Sequence, residues 1–68
     1  MTSVEEKVAG MLIDLGVAAN SVGDYTAAIQ VTQAAKRLAH GPEFLRLCVS
    51  NLEIYRNNRA RNLAPPGR

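Results

Sequence analysis

One thiol, Cys48, and one imidazole, His40, are the side chains of this 68-residue sequence with the reactivity that nucleophilic or metal chemistry most often uses. A single cysteine excludes an internal disulfide, and one cysteine with one histidine cannot assemble a four-ligand zinc site. His40 stands beside Gly41, where a helix ends, so a solvent-facing or capping role is expected of it. Cys48 falls among apolar residues, and nothing near it in sequence would lower its pKa, so it reads as a small core hydrophobe. Glu5 and Glu6 are accounted for by the start of a helix, whose free amides favour negative charge. The sequence has no glycine-rich phosphate loop, nucleophile elbow or Cys-x-x-Cys pair. The expectation is a protein that is not an enzyme and that uses no cofactor and no metal.

The remaining chemistry-bearing group is basic. Arg56, Arg59 and Arg61 lie within six residues, and arginine forks match phosphate oxygens or the carboxylates of an acidic partner. Only Tyr55 is an adjacent aromatic and no reading motif precedes the cluster, so nucleic acid is the weaker alternative to a solvated helix end. Charge is distributed unevenly. Residues 1–35 carry Lys7 against four carboxylates, a net of −3, and residues 36–68 carry seven lysines and arginines against two, a net of +5. An acidic front and a basic back allow head-to-tail self-association or an acidic partner at the C-terminal end. Basic residues near helix C-termini would also be favoured by the dipole alone.

Three helices must position these groups. Ser3-Val4-Glu5-Glu6 is a capping box, which places the first helix at about 4–22. Val4, Val8, Met11, Leu12, Leu15, Ala19 and Val22 recur at steps of three and four, so they share one face, read as the core face. Gly23 ends that helix and Asp24 caps the next, at about 25–39, whose apolar residues are mostly alanines. Gly41-Pro42 separates it from a third helix at about 42–60, since proline suits a first helical turn. There Phe44, Leu45, Leu47, Cys48, Val49, Leu52, Ile54 and Tyr55 spread over an arc of roughly 220° at 100° per residue. The Leu45-Cys48-Leu52-Tyr55 side is expected to pack on the first two helices, leaving the rest of the arc for another chain. Asn57-Asn58 is expected to weaken the last turn, and residues 63–68, with Pro65-Pro66-Gly67, to form a flexible tail. The expected architecture is one all-α, three-helix domain over residues 1–62.

Leu12-x-x-Leu15-Gly16-x-x-Ala19, followed by Gly23-Asp24-Tyr25-x-x-Ala28 and Ala35, resembles one tetratricopeptide repeat. Leu12 stands where that family often has Trp, Ala19 where it has Tyr, Thr32 where it has Phe, and His40 where it has Pro. The resemblance covers about half of the chain and implies an antiparallel helix hairpin that acts as a protein-binding module. It further implies that Gly10, Ile13, Val17, Asn20 and Ser21 line a concave, peptide-receiving groove. That groove would be apolar with a polar end, unlike the basic clamps with which some members hold acidic C-terminal peptides. Such a repeat cannot bury its apolar face alone, and about three are normally stacked for stability.

The residues themselves also single out Ile13 and Val17. They are four apart and about 180° from the Val8–Leu15 stripe, where a solvated helix carries polar groups. They are covered by a partner, touched by the third helix, or merely exposed. A chain of this length buries only about 60% of its unfolded surface and needs a staple or a partner, and neither usual staple is available. Protein is therefore the expected partner, whether self or a different chain, in an oligomer or a partner-stabilised complex. The candidate contact residues are Ile13, Val17, Asn20 and Ser21 with Phe44, Leu47, Ile54 and Tyr55. An adaptor, chaperone or inhibitor fits this reading; a purely structural homo-oligomer such as a minor phage component is the rival. No apolar run approaches the roughly 18 residues of a membrane span, and the N-terminus is acidic where a signal peptide is basic. A cytoplasmic protein is expected.

Overall fold

The first helix is bounded at both ends, and the second at its start, by local devices that the sequence carries. In a computed structural model of the chain, which describes residues 3–39 and 41–63, the helices are α1 (Val4–Ser21), α2 (Tyr25–Leu38) and α3 (Pro42–Leu63). The Ser3 hydroxyl accepts from the Glu6 amide at 3.1 Å and donates to the Glu6 carboxylate at 3.3 Å, which satisfies one of the free donors of α1. At the other end Gly23, with φ of +84°, lets its own N–H reach the Asn20 carbonyl and the Asp24 N–H reach the Ala19 carbonyl. This pairing is a Schellman ending, and only glycine adopts its left-handed residue without strain. The Asp24 carboxylate then accepts from the Ala27 amide at 3.1 Å. One residue thus closes α1 with its backbone and opens α2 with its side chain.

α3 continues three residues beyond the expected end, through Asn57 and Asn58 to Leu63. Asparagine weakens a helix when its amide competes for local backbone groups. Here the Asn58 amide is held elsewhere: its nitrogen donates to Asn20 of α1 and its oxygen accepts from Arg61. The Asn62 side chain donates to the Asn58 carbonyl at 2.9 Å. His40 and residues 64–68 of the expected tail lie outside the described residues.

α1 and α2 form an antiparallel hairpin, α3 packs on α2, and α1 and α3 meet at fewer points. Small residues close the hairpin. Ala9 and Gly16 of α1 are buried, as are Ala28, Thr32 and Ala35 of α2. A Cβ added to Gly16 would stand 2.8 Å from Thr32 Oγ1, 3.4 Å from the Tyr55 ring and 3.5 Å from the Ala28 carbonyl oxygen. Position 16 is therefore where all three helices meet. The buried Thr32 hydroxyl donates to the Ala28 carbonyl at 2.7 Å, which removes the cost of an unpaired polar group. On the other side of α2, Ile29 joins Ala28, Leu52 and Tyr55 in one apolar cluster with Ala19 against it.

This packing corrects the expected core face of α1. Val4, Val8, Met11, Leu15 and Val22 are exposed, and of that stripe only Leu12 and Ala19 are half-buried. The face that meets α2 is turned by about 120° toward Ala9 and Gly16. Backbones approach closely only where side chains are small, and the facing stripe of α2 is also small, so α1 presents its alanine and glycine positions. On α3, Cys48, Leu52 and Tyr55 are buried as expected, while Leu45 sits at the edge and is 41% exposed.

Candidate protein-binding groove

The chain reverses twice, so α1 and α3 run in the same direction, and both pack on α2. Two contacts set their register. The Tyr55 ring lies against Gly16, and the Asn58 amide nitrogen donates to the Asn20 oxygen at 2.9 Å. A residue of α1 is thus level with the residue of α3 numbered 38 or 39 higher. Val17 is within a turn of Ile54, and Gly10 is within a turn of Leu47.

The helical period then decides which side chains share a face. Around α1, Ala9 and Gly16 point toward α2, Asn20 points toward α3, and Ile13 and Val17 follow about 20–60° beyond Asn20. Around α3, Cys48 and Leu52 point toward α2, Tyr55 and Asn58 toward α1, and Leu47 and Ile54 follow about 20–40° beyond Asn58. Both pairs lie on the side of the α1–α3 line that faces away from α2. By this reckoning they flank the Asn20–Asn58 bond and are the candidate edges of a shallow groove. Ile13 is half-buried, and Val17, Leu47 and Ile54 are each about half exposed. At the start of α3 an open depression of about 500 Å³ is lined by Gly41, Pro42, Glu43, Phe44 and Leu47, which shares Leu47 with the groove.

Of the candidate contact residues, Asn20 is bonded across to α3, and the helical period puts Ile13, Val17, Leu47 and Ile54 on one side of α1 and α3. Half-buried Phe44 lies in the adjoining depression. Ser21 is exposed and its hydroxyl donates to the Val17 carbonyl, so it is committed to its own helix. Tyr55 is expected both on the packing side of α3 and among the contact residues, and the second expectation is corrected: it is 4% exposed and belongs to the core, because its ring fills the space that Gly16 leaves open. Burial raises its phenol above the ordinary value of 10.0. Burial likewise raises the Cys48 thiol above 9.0, with the charge of Lys36 and a backbone hydrogen bond opposing the rise.

The three arginines do not share a face. Arg56 is exposed on the flank beyond Leu52, Arg61 is turned about 140° away and bonded to Asn58, and Arg59 is half-buried. Arg59 lines a second depression, of about 200 Å³, with Gly23, Asp24, Tyr25, Thr26 and Asn62. Arg56 and Arg59 are about 60° apart around α3, and Arg61 stands apart from both. No helix of the described residues is long and apolar enough to cross a membrane. Compared with known proteins, the chain matches no family model, no curated protein and no solved structure.

Proposed function

We propose that this chain is a small non-enzymatic protein-binding module of the adaptor, chaperone or inhibitor type, which receives an apolar segment of another protein in the groove between α1 and α3. The observation that carries the reading is that Val17, Leu47 and Ile54 are about half exposed on helices joined by the Asn20–Asn58 bond, where the helical period puts them, with Ile13, on the side turned away from α2. A solvated surface would place polar groups at these four positions. The tetratricopeptide resemblance supports the same use of the same face, since it assigns Gly10, Ile13, Val17 and Asn20 to a peptide-receiving surface. A cytoplasmic location accompanies the reading, with the single thiol buried in the core.

Panning a random peptide display library against the purified chain tests this directly. Wild type should enrich peptides with two or three spaced bulky apolar residues. Val17→Glu, which adds a charge to one groove edge, should lose that enrichment, and Val49→Glu on the opposite flank of α3 should keep it. Enrichment that Val17→Glu leaves unchanged, or none at all, would remove the groove as the binding surface.

A further inference from the structure

The stripe expected to form the core of α1 is a surface, and its pattern is that of a helix-pairing seam. Val4, Val8, Met11, Leu15, Ala18 and Val22 follow one another at steps of four, three, four, three and four, which keeps them within about 80° of arc around the helix. All six are exposed, with Val4, Met11 and Val22 at 76%, 63% and 81%. From the structure we infer that this stripe is the site at which a second copy of the chain packs, α1 against α1, with the two helices antiparallel.

Three observations select a second copy as the occupant. The first is area. At these exposures the six side chains offer roughly 500 Å² per copy, so their full burial in two copies removes about 1,000 Å² from water, the lower bound for a specific interface. The second is symmetry. The stripe is centred on position 13, with 4 opposite 22, 8 opposite 18 and 11 opposite 15, so a two-fold axis at that level superposes it on itself, as an isologous interface requires. The third is length. The other exposed apolar flank, Leu45 and Val49 on α3, gives way to charge at Arg56 and covers only part of a stripe that runs from Val4 to Val22.

Layer composition decides the direction. Parallel helices would place Ala18 against Ala18 of the other copy and leave a gap inside a seam whose spacing the larger residues set. Antiparallel helices place Ala18 opposite Val8 and Met11 opposite Leu15, which evens the layers. The same arrangement brings Asp14, one residue from the axis, beside its own copy on one side of the seam. In a parallel pair the two Asp14 side chains would lie on opposite sides. The groove lies on the far side of α1, so the pair would present two grooves facing outward.

Light scattering and sedimentation of the full chain over a concentration series test the inference. Wild type should pass from monomer to dimer and stop there. Leu15→Glu, exposed in the monomer and so compatible with its fold by circular dichroism, should stay monomeric at concentrations at least tenfold higher. Val17→Glu, outside the seam, should dimerise as wild type does, which separates this surface from the groove. Asp14→Asn should tighten the dimer several-fold by removing a like-charge pair. Mass that grows past the dimer would point to head-to-tail stacking of α1 on α3 and overturn the inference. So would a chain that remains monomeric throughout, or a dimer that Leu15→Glu leaves intact. An Asp14→Asn dimer of unchanged affinity would overturn the antiparallel arrangement.

Discussion

Gly16 and Gly10 occupy neighbouring turns of α1, yet the same substitution should act in opposite directions at the two positions. A Cβ at Gly10 meets nothing within 4 Å, so Gly10→Ala should stabilise the chain by about 0.5–1 kcal/mol through the lower entropy of the unfolded state. At Gly16 the new carbon would press on Thr32 Oγ1 at 2.8 Å, and that hydroxyl is buried, β-branched and hydrogen-bonded to Ala28. Overpacking typically costs about 1–3 kcal/mol, against roughly 1 kcal/mol of helix propensity gained. Gly16→Ala should therefore lower stability by about 1–2 kcal/mol in urea unfolding, and a gain in stability would mean that the helices are not in close contact there. The two titrating core groups give a prediction of their own. Because Cys48 and Tyr55 both ionise less readily when folded, the unfolded chain loses these protons first as pH rises. Stability should thus fall with rising pH, from near pH 9 for Cys48 and near pH 10 for Tyr55, until the folded groups ionise as well. Cys48→Ala should flatten the first part of that decline when urea midpoints are compared between pH 7 and 10.5. A decline of the same slope near pH 9 in both proteins would assign it to other groups.

At the scale of the element, the ends of the helices were the most legible part of the sequence, because each rests on a few adjacent residues with one conformational preference. Ser3, Gly23, Asp24 and Gly41-Pro42 behave as their types dictate. The orientation of α3 was legible too, since Cys48, Leu52 and Tyr55 lie in the middle part of its apolar arc. The orientation of α1 was not. Periodicity weights a face by bulk, whereas the contact with α2 was decided by how near two backbones could come, a quantity carried by Ala9, Gly16, Ala28 and Ala35. Tyr55 carried two expectations, core and contact, for a related reason: a residue on a broad apolar arc is sorted into core or surface only by the neighbour it meets, and that neighbour is a glycine of another helix. Ile13 and Val17 stood out because branched apolar residues opposite a hydrophobic stripe break the amphipathic pattern. Asn20 and Asn58 gave no pairing signal, being 38 residues apart. Their bond, the one side-chain hydrogen bond between α1 and α3 among the described residues, should be visible as coupling in a double-mutant cycle. Asn20→Ala and Asn58→Ala should each cost about 1 kcal/mol, and the double variant little more than either alone. Additive losses would show that the amides act through other partners.

For the molecule as a whole, the arrangement places α2 between two helices and leaves each of the outer helices covered on one side. The fully buried apolar side chains are mostly small, with Ile29, Leu52 and Tyr55 the largest of the core. Local opening follows the density of such contacts, so the backbone should not be uniformly protected. In the Leu15→Glu variant, where the seam is disabled, amide hydrogen exchange should be slowest over Ile29–Ala35, which both neighbours cover. It should be clearly faster over Val8–Leu15, whose bulky side chains point outward. In wild type at concentrations that favour association, Val8–Leu15 should slow toward the rate of α2, while the last turn of α3 should be unaffected. That contrast separates the two outer faces of α1 in one measurement, since a groove ligand would act on Ile13 and Val17 and a second copy on Met11 and Leu15. If α1 in the variant exchanged as slowly as α2, its bulky stripe would have to be buried within the single chain. The helix would then be turned by about 120° from the orientation in which Gly16 meets Thr32 and Tyr55.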